Sequence, residues 1–83
     1  MNNKIKIQLR IDPLDDVDSV LRICLYDSTP KFIMVIWESL NYFNNNNPIT
    51  SEKLNEAKQE LKYFAELLDC KYEDITSLNQ INN

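Results

Sequence analysis

Residues 4–11 read Lys-Ile-Lys-Ile-Gln-Leu-Arg-Ile, a strict alternation of polar and apolar side chains. Successive side chains of a strand point to opposite faces, so Ile5, Ile7, Leu9 and Ile11 share one face and Lys4, Lys6, Gln8 and Arg10 the other. That pattern predicts a half-buried β-strand. Such a strand cannot stand alone, because its edge N–H and C=O groups need partners. It is the clearest strand signal in the sequence, so pairing with the same strand of a second chain is the expected solution.

The rest of the chain reads as helical. Asp12 caps a helix, Pro13 takes its first position, and Asp15 and Asp16 favour the positive end of its dipole. Leu14, Val17, Leu21 and Cys24 follow at helical spacing, with Val20 and Leu25 widening the stripe, which predicts a helix over 13–25. Asp27-Ser28-Thr29-Pro30 makes a break and a restart. A second helix is predicted over 30–44 along Ile33, Ile36, Trp37, Leu40 and Phe43. The unbroken apolar run Phe32 to Trp37 also fits a buried strand, and that alternative stays open. Asn44 to Asn47 and Pro48 form a polar linker. Thr50 or Ser51 then caps a third helix, with Leu54, Ala57, Leu61, Phe64, Ala65 and Leu68 on one face as far as about Asp69. Residues 72–83 form a short helix around Ile75 and Leu78 or fray. The expected fold class is mainly α with one N-terminal β-strand.

Several function classes fall away. The 83 residues contain no His and no Gly, so the usual general base near neutral pH and any glycine-rich phosphate loop are missing; an enzyme is not expected, nor a cofactor or bound metal. Asp12, Asp15, Asp16 and Asp18 are read as capping groups rather than a cation site. Cys24 and Cys70 match no zinc or redox spacing and read as small core residues, as do the larger Trp37, Phe43 and Phe64. No export signal opens the chain, and the longest apolar run is far short of a membrane span, which points to the cytoplasm.

A basic alternating strand, a helix, a short turn and a capped, very apolar second helix together resemble the ribbon-helix-helix family of DNA-binding proteins. The resemblance covers residues 4–44. It implies a homodimer through strand 4–11, whose paired strands enter the major groove of an operator in double-stranded DNA. Lys6, Gln8 and Arg10 would then read base edges, and Lys4, Ser28, Thr29 and Lys31 would hold phosphates, the last three at the start of the second helix. Residues 1–47 would be the DNA-binding and dimerisation unit, and 48–83 an added C-terminal amphipathic helix and tail. In antitoxins of this layout the C-terminal segment covers a toxin, which nominates Leu54, Leu61, Phe64 and Leu68 as a partner-facing set. Packing of that set on the protein's own dimer is the alternative. The function implied is a sequence-specific repressor regulating a plasmid, phage or toxin-antitoxin operon.

The charge distribution supports a rival. Lys4, Lys6 and Arg10 make the first ten residues basic, yet the whole chain carries a net charge of −4. A small acidic inhibitor of another protein, such as an immunity protein or a phage-encoded nucleic-acid mimic, fits that balance. Lys4, Lys6, Gln8 and Arg10 would then be no more than the solvated face of a strand.

Overall fold

The computed structural model describes residues 2–77 as three strands, one helix and a fourth strand: β1 (Asn2–Pro13), β2 (Ser19–Asp27), β3 (Phe32–Glu38), α1 (Ser51–Leu68) and β4 (Cys70–Asp74). The sheet order is β3-β2-β1-β4. β1 runs antiparallel to β2 and parallel to β4, and β2 runs antiparallel to β3. β3 and β4 therefore point the same way at opposite edges. Joining them requires a crossover, which α1 supplies.

This architecture corrects the mainly helical reading and the ribbon-helix-helix arrangement: one helix stands where that fold has two. The partner expected from a second chain comes from this one. β1 has β2 on one side and β4 on the other, so the strand that was to form an intermolecular ribbon has both ladders occupied.

The helix predicted over 13–25 is instead a turn and a strand. Asp15 accepts hydrogen bonds from the backbone N–H groups of Val17 and Asp18, closing a turn rather than facing a helix dipole. Asp12 lies on the sheet and pairs with arginines. In β2, Leu21 and Ile23 are buried on one face while Val20 and Cys24 are buried on the other. Apolar residues on both faces hide a period of two behind an apparent period near 3.6.

The helix predicted over 30–44 fails for a similar reason. Asp27 accepts from the N–H groups of Thr29 and Lys31 and from the Thr29 hydroxyl, so the Ser-Thr-Pro segment makes a hairpin turn. The apolar run is β3, the reading held open beside the helix. Its irregular pairing with β2 shifts register between Ile23 and Cys24 and again between Leu25 and Tyr26.

α1 matches the third predicted helix. The Thr50 hydroxyl accepts from the Lys53 N–H at 3.1 Å as the N-cap. Asp69 closes the C-terminus at φ 50°, ψ 51°, its N–H reaching the carbonyls of Ala65 and Glu66. In a chain without glycine, an aspartate takes this left-handed position. β4 follows at once, and Ile75 N–H continues the pairing to the Leu9 carbonyl. A helix centred on Ile75 and Leu78 falls largely outside the described residues.

α1 lies mainly over β1 and β4. The core joins Ile7, Leu9, Leu21 and Ile23 of the sheet to Ala57, Leu61 and Ala65 of the helix, with Phe43 and Cys70 at its margins. The small Ala57 and Ala65 let the helix backbone approach the sheet, and burial of a side chain such as Leu61 contributes about 1.5–3 kcal/mol. Both sides of the Asn44–Pro48 linker feed this one cluster. Among the described residues no helix is long and apolar enough to cross a membrane.

Candidate binding surfaces

The helix covers one face of the sheet; the other carries a continuous polar network. It starts on β3, where Glu38 Oε2 meets Arg22 Nε at 2.8 Å. Arg22 Nη1 lies 3.5 Å from Asp12 Oδ2, and Arg10 Nε lies 2.8 Å from Asp12 Oδ1. Arg10 also donates to the Tyr26 hydroxyl, which donates to Gln8 Oε1 at 3.3 Å. Gln8 Nε2 donates to Glu73 Oε1 at 2.6 Å, and Lys6 Nζ stands 4.0 Å from the other oxygen of that carboxylate. All four strands take part.

Strand register forces this arrangement. Arg10 and Arg22 are directly opposite each other in the β1–β2 ladder, a like-charge pair that is unfavourable unless a counter-charge sits between them. Asp12 does so. Burial works against the charge on Arg10, but its bonds to Tyr26 and Asp12 outweigh that and raise its pKa. The Glu38 bond leads the same upward shift at Arg22. Beneath the network, Cys24 lies opposite Gln8, and desolvation pushes its thiol pKa up. Cys24 is thus a neutral, packed thiol rather than a nucleophile.

The nominated base readers Lys6, Gln8 and Arg10 do share this face, each engaged by a neighbour. Lys4 is exposed near the start of β1. Ser28, Thr29 and Lys31 occupy the β2–β3 turn instead of a helix start, and the N–H groups of Thr29 and Lys31 already serve the Asp27 carboxylate. A phosphate there would meet an anion. The turn does bring Ser28 beside Lys6 and Lys71, around a groove of about 270 Å³ that also contains Asp27.

Leu54, Leu61, Phe64 and Leu68, the nominated partner-facing set, turn inward. Leu61 is buried, and the other three pack against the core cluster. Phe43 is buried and Trp37 half-buried in the same core. Arg22, Tyr26, Glu38 and Glu73, which complete the polar network, went unnoticed in the sequence. Only the cross-strand register brings them to the others.

Among the described residues, two apolar features at the surface bear on binding. A groove of about 720 Å³ opens between the β1–β2 turn and the start of α1, with Ile11, Val17, Phe43, Ile49 and Leu54 among its walls. Val17 is 70% exposed, and its loop carries Asp15, Asp16 and Asp18. Asn44 Nδ2 donates to Asp18 Oδ1 at 2.9 Å, tying this loop to the linker across the groove. Asp15 is held below the ordinary carboxylate range by the N–H groups of Asp18 and Val17. The second feature is β3, whose Phe32, Ile33 and Met34 are exposed at the edge of the sheet. Among the described residues no three potential metal-ligating side chains cluster.

Comparison of the chain with protein-family models, with curated proteins and with solved structures finds no match.

Proposed function

We propose that this chain is a small non-catalytic binding protein whose target is another protein, an inhibitor of acidic character. The observation that carries the reading is the internal neutralisation of the polar sheet face. Arg10 and Arg22 share Asp12, Arg22 also holds Glu38, and Lys6 and Gln8 converge on Glu73. Affinity for nucleic acid comes largely from cations that displace counterions around phosphates, and these cations would first have to give up carboxylates. The 720 Å³ groove is lined by apolar and uncharged polar side chains, and the loop that supplies its Val17 wall is acidic. Asp15, Asp16 and Asp18 form no ion pair among the described residues and stand beside the exposed Val17. A groove of mixed apolar and uncharged polar lining beside an acidic loop suits a basic, partly apolar segment of a partner protein.

Operator recognition is the second reading, favoured by the placement of Lys6, Gln8 and Arg10 on one open sheet face. One experiment separates the two. A photoreactive residue at position 17 in the expressed chain should trap a protein of defined mass, and Asp16→Lys should abolish the adduct while leaving the circular dichroism unchanged. Fluorescence anisotropy with duplex DNA at low salt should show no binding. Salt-sensitive DNA binding that Arg10→Ala removes, with no protein adduct at position 17, would replace this reading with operator recognition.

A further inference from the structure

The two edges of the sheet are built differently. β4 is five residues long and three of them, Lys71, Glu73 and Asp74, are charged; short, charged edge strands resist pairing with other chains. β3 has seven residues, and six in succession, Phe32 to Trp37, are apolar, with no proline or charge among them. Among the described residues its outer ladder is unpaired, because β3 ends the strand order. Phe32, Ile33 and Met34 are 51%, 47% and 51% exposed, and Leu40, just past the strand, is fully exposed. Taking on the order of 150–250 Å² for a large side chain, these four present roughly 450 Å² of apolar surface over both faces of this edge, within the roughly 300–600 Å² of a monomer's largest apolar patch, which is often functional. A standard interface needs about 800 Å² per partner, so this patch amounts to about half, the share expected of an apolar centre with a polar rim.

We infer that β3 is the interface of a two-fold homodimer, in which the β3 strands of two copies pair antiparallel and join two four-stranded sheets into one. Charge disfavours a parallel copy, which would set Lys31 beside Lys31 and Glu38 beside Glu38, whereas an antiparallel copy about Val35 sets Lys31 opposite Ser39 and Glu38 opposite Phe32. A two-fold axis normal to the sheet and midway between the two strands sets one residue opposite its own copy, and Val35 is the midpoint of Phe32–Glu38. The two register shifts lie in the β2–β3 ladder and add local twist to β3. Because the β4 edge is charged and short, each chain has one adhesive edge and assembly closes at two. The interface is separate from the groove at Val17 and does not depend on the function proposed for it.

Sedimentation equilibrium of the full chain tests this directly. A dimer of 9.8 kDa chains is expected, with Ile33→Lys raising its dissociation constant roughly a hundredfold or more, since each interface would bury the substitution twice. In a Cys24→Ser background, which removes the thiol opposite position 35 in the β2–β3 ladder, Val35→Cys should form a disulfide-linked dimer on mild oxidation, because facing strand residues lie about 4.5–5.5 Å apart between Cα atoms, within disulfide range. A wild-type monomer across the micromolar to millimolar range overturns the inference whatever the variants do. So does an open-ended polymer, or a dimer indifferent to Ile33→Lys.

Discussion

Replacing Asp12 by alanine removes the carboxylate that Arg10 and Arg22 share. Its side chain is 13% exposed, and it accepts from Arg10 at 2.8 Å and approaches Arg22 at 3.5 Å. A charge-assisted hydrogen bond of the first kind contributes about 1.5–3 kcal/mol. The second contact adds less than about 1 kcal/mol, since both partners reach solvent and Arg22 retains Glu38. Two guanidinium groups left directly across a ladder repel by about 0.2–1 kcal/mol. With solvent screening, the sum is a loss of about 2–3 kcal/mol. Urea unfolding followed by Trp37 fluorescence and by far-ultraviolet circular dichroism reads this out. For a chain this small the denaturant slope is about 1 kcal/mol/M, so the midpoint should fall by about 2–3 M. Added salt should recover part of the loss by screening the arginine pair, and Asp12→Asn should fall between wild type and Asp12→Ala. The reasoning fails if Asp12→Ala costs as much in an Arg10→Ala background as in the wild type, because a shared counter-ion requires the two substitutions to be coupled.

Leu61→Ala, at the centre of the helix–sheet contact, should cost about 2–5 kcal/mol in the same urea titration; a change under about 1 kcal/mol would mean that α1 does not pack as described. Cys24 and Cys70 are buried, and desolvation raises both thiol pKa values, so a thiol reagent near neutral pH should label neither in the native protein and both in denaturant. Prompt native labelling of Cys24 would show that the polar network does not cover it. The Thr29 hydroxyl and the N–H groups of Lys31 and Thr29 lower the Asp27 pKa. A group depressed in the fold stabilises fully above its unfolded value, ordinarily 3.8, and loses that contribution as pH falls through the folded value. Asp27→Asn should therefore flatten part of the acid limb of stability below about pH 4, with little change in its slope near neutrality; an unaltered acid limb would count against the turn.

Period and capping made two elements legible in the sequence. The alternation Ile5, Ile7, Leu9 and Ile11 lies within β1, and Thr50 with the Leu54 to Leu68 stripe marks α1. Both have one apolar face and one polar face, and that contrast makes a period visible. β2 and β3 lack it. Val20 and Cys24 are buried under the polar network while Leu21 and Ile23 are buried under the helix, so β2 has two apolar faces and its alternation disappears. The aspartates and prolines beside these strands carry signals that serve helix caps and tight turns equally well; Asp15 and Asp27 went to turns.

The candidate surfaces divide in the same way. That Lys6, Gln8 and Arg10 share a face follows from the strand period alone. That they are already paired does not, because Tyr26 and Glu73 lie 16 and 65 residues away from their partners Arg10 and Gln8, and only sheet register brings them into contact. The sequence by itself determined that residues 4–11 would be a half-buried strand in need of neighbours and that the stretch from the Thr50 or Ser51 cap to about Asp69 would be an amphipathic helix. Tertiary structure decided that the neighbours come from the same chain, that the helix spends its apolar stripe on the sheet, and that β3 is left at the rim. A side-chain period records how an element is buried, whereas the identity of the element that buries it depends on contacts between distant residues that no local pattern contains.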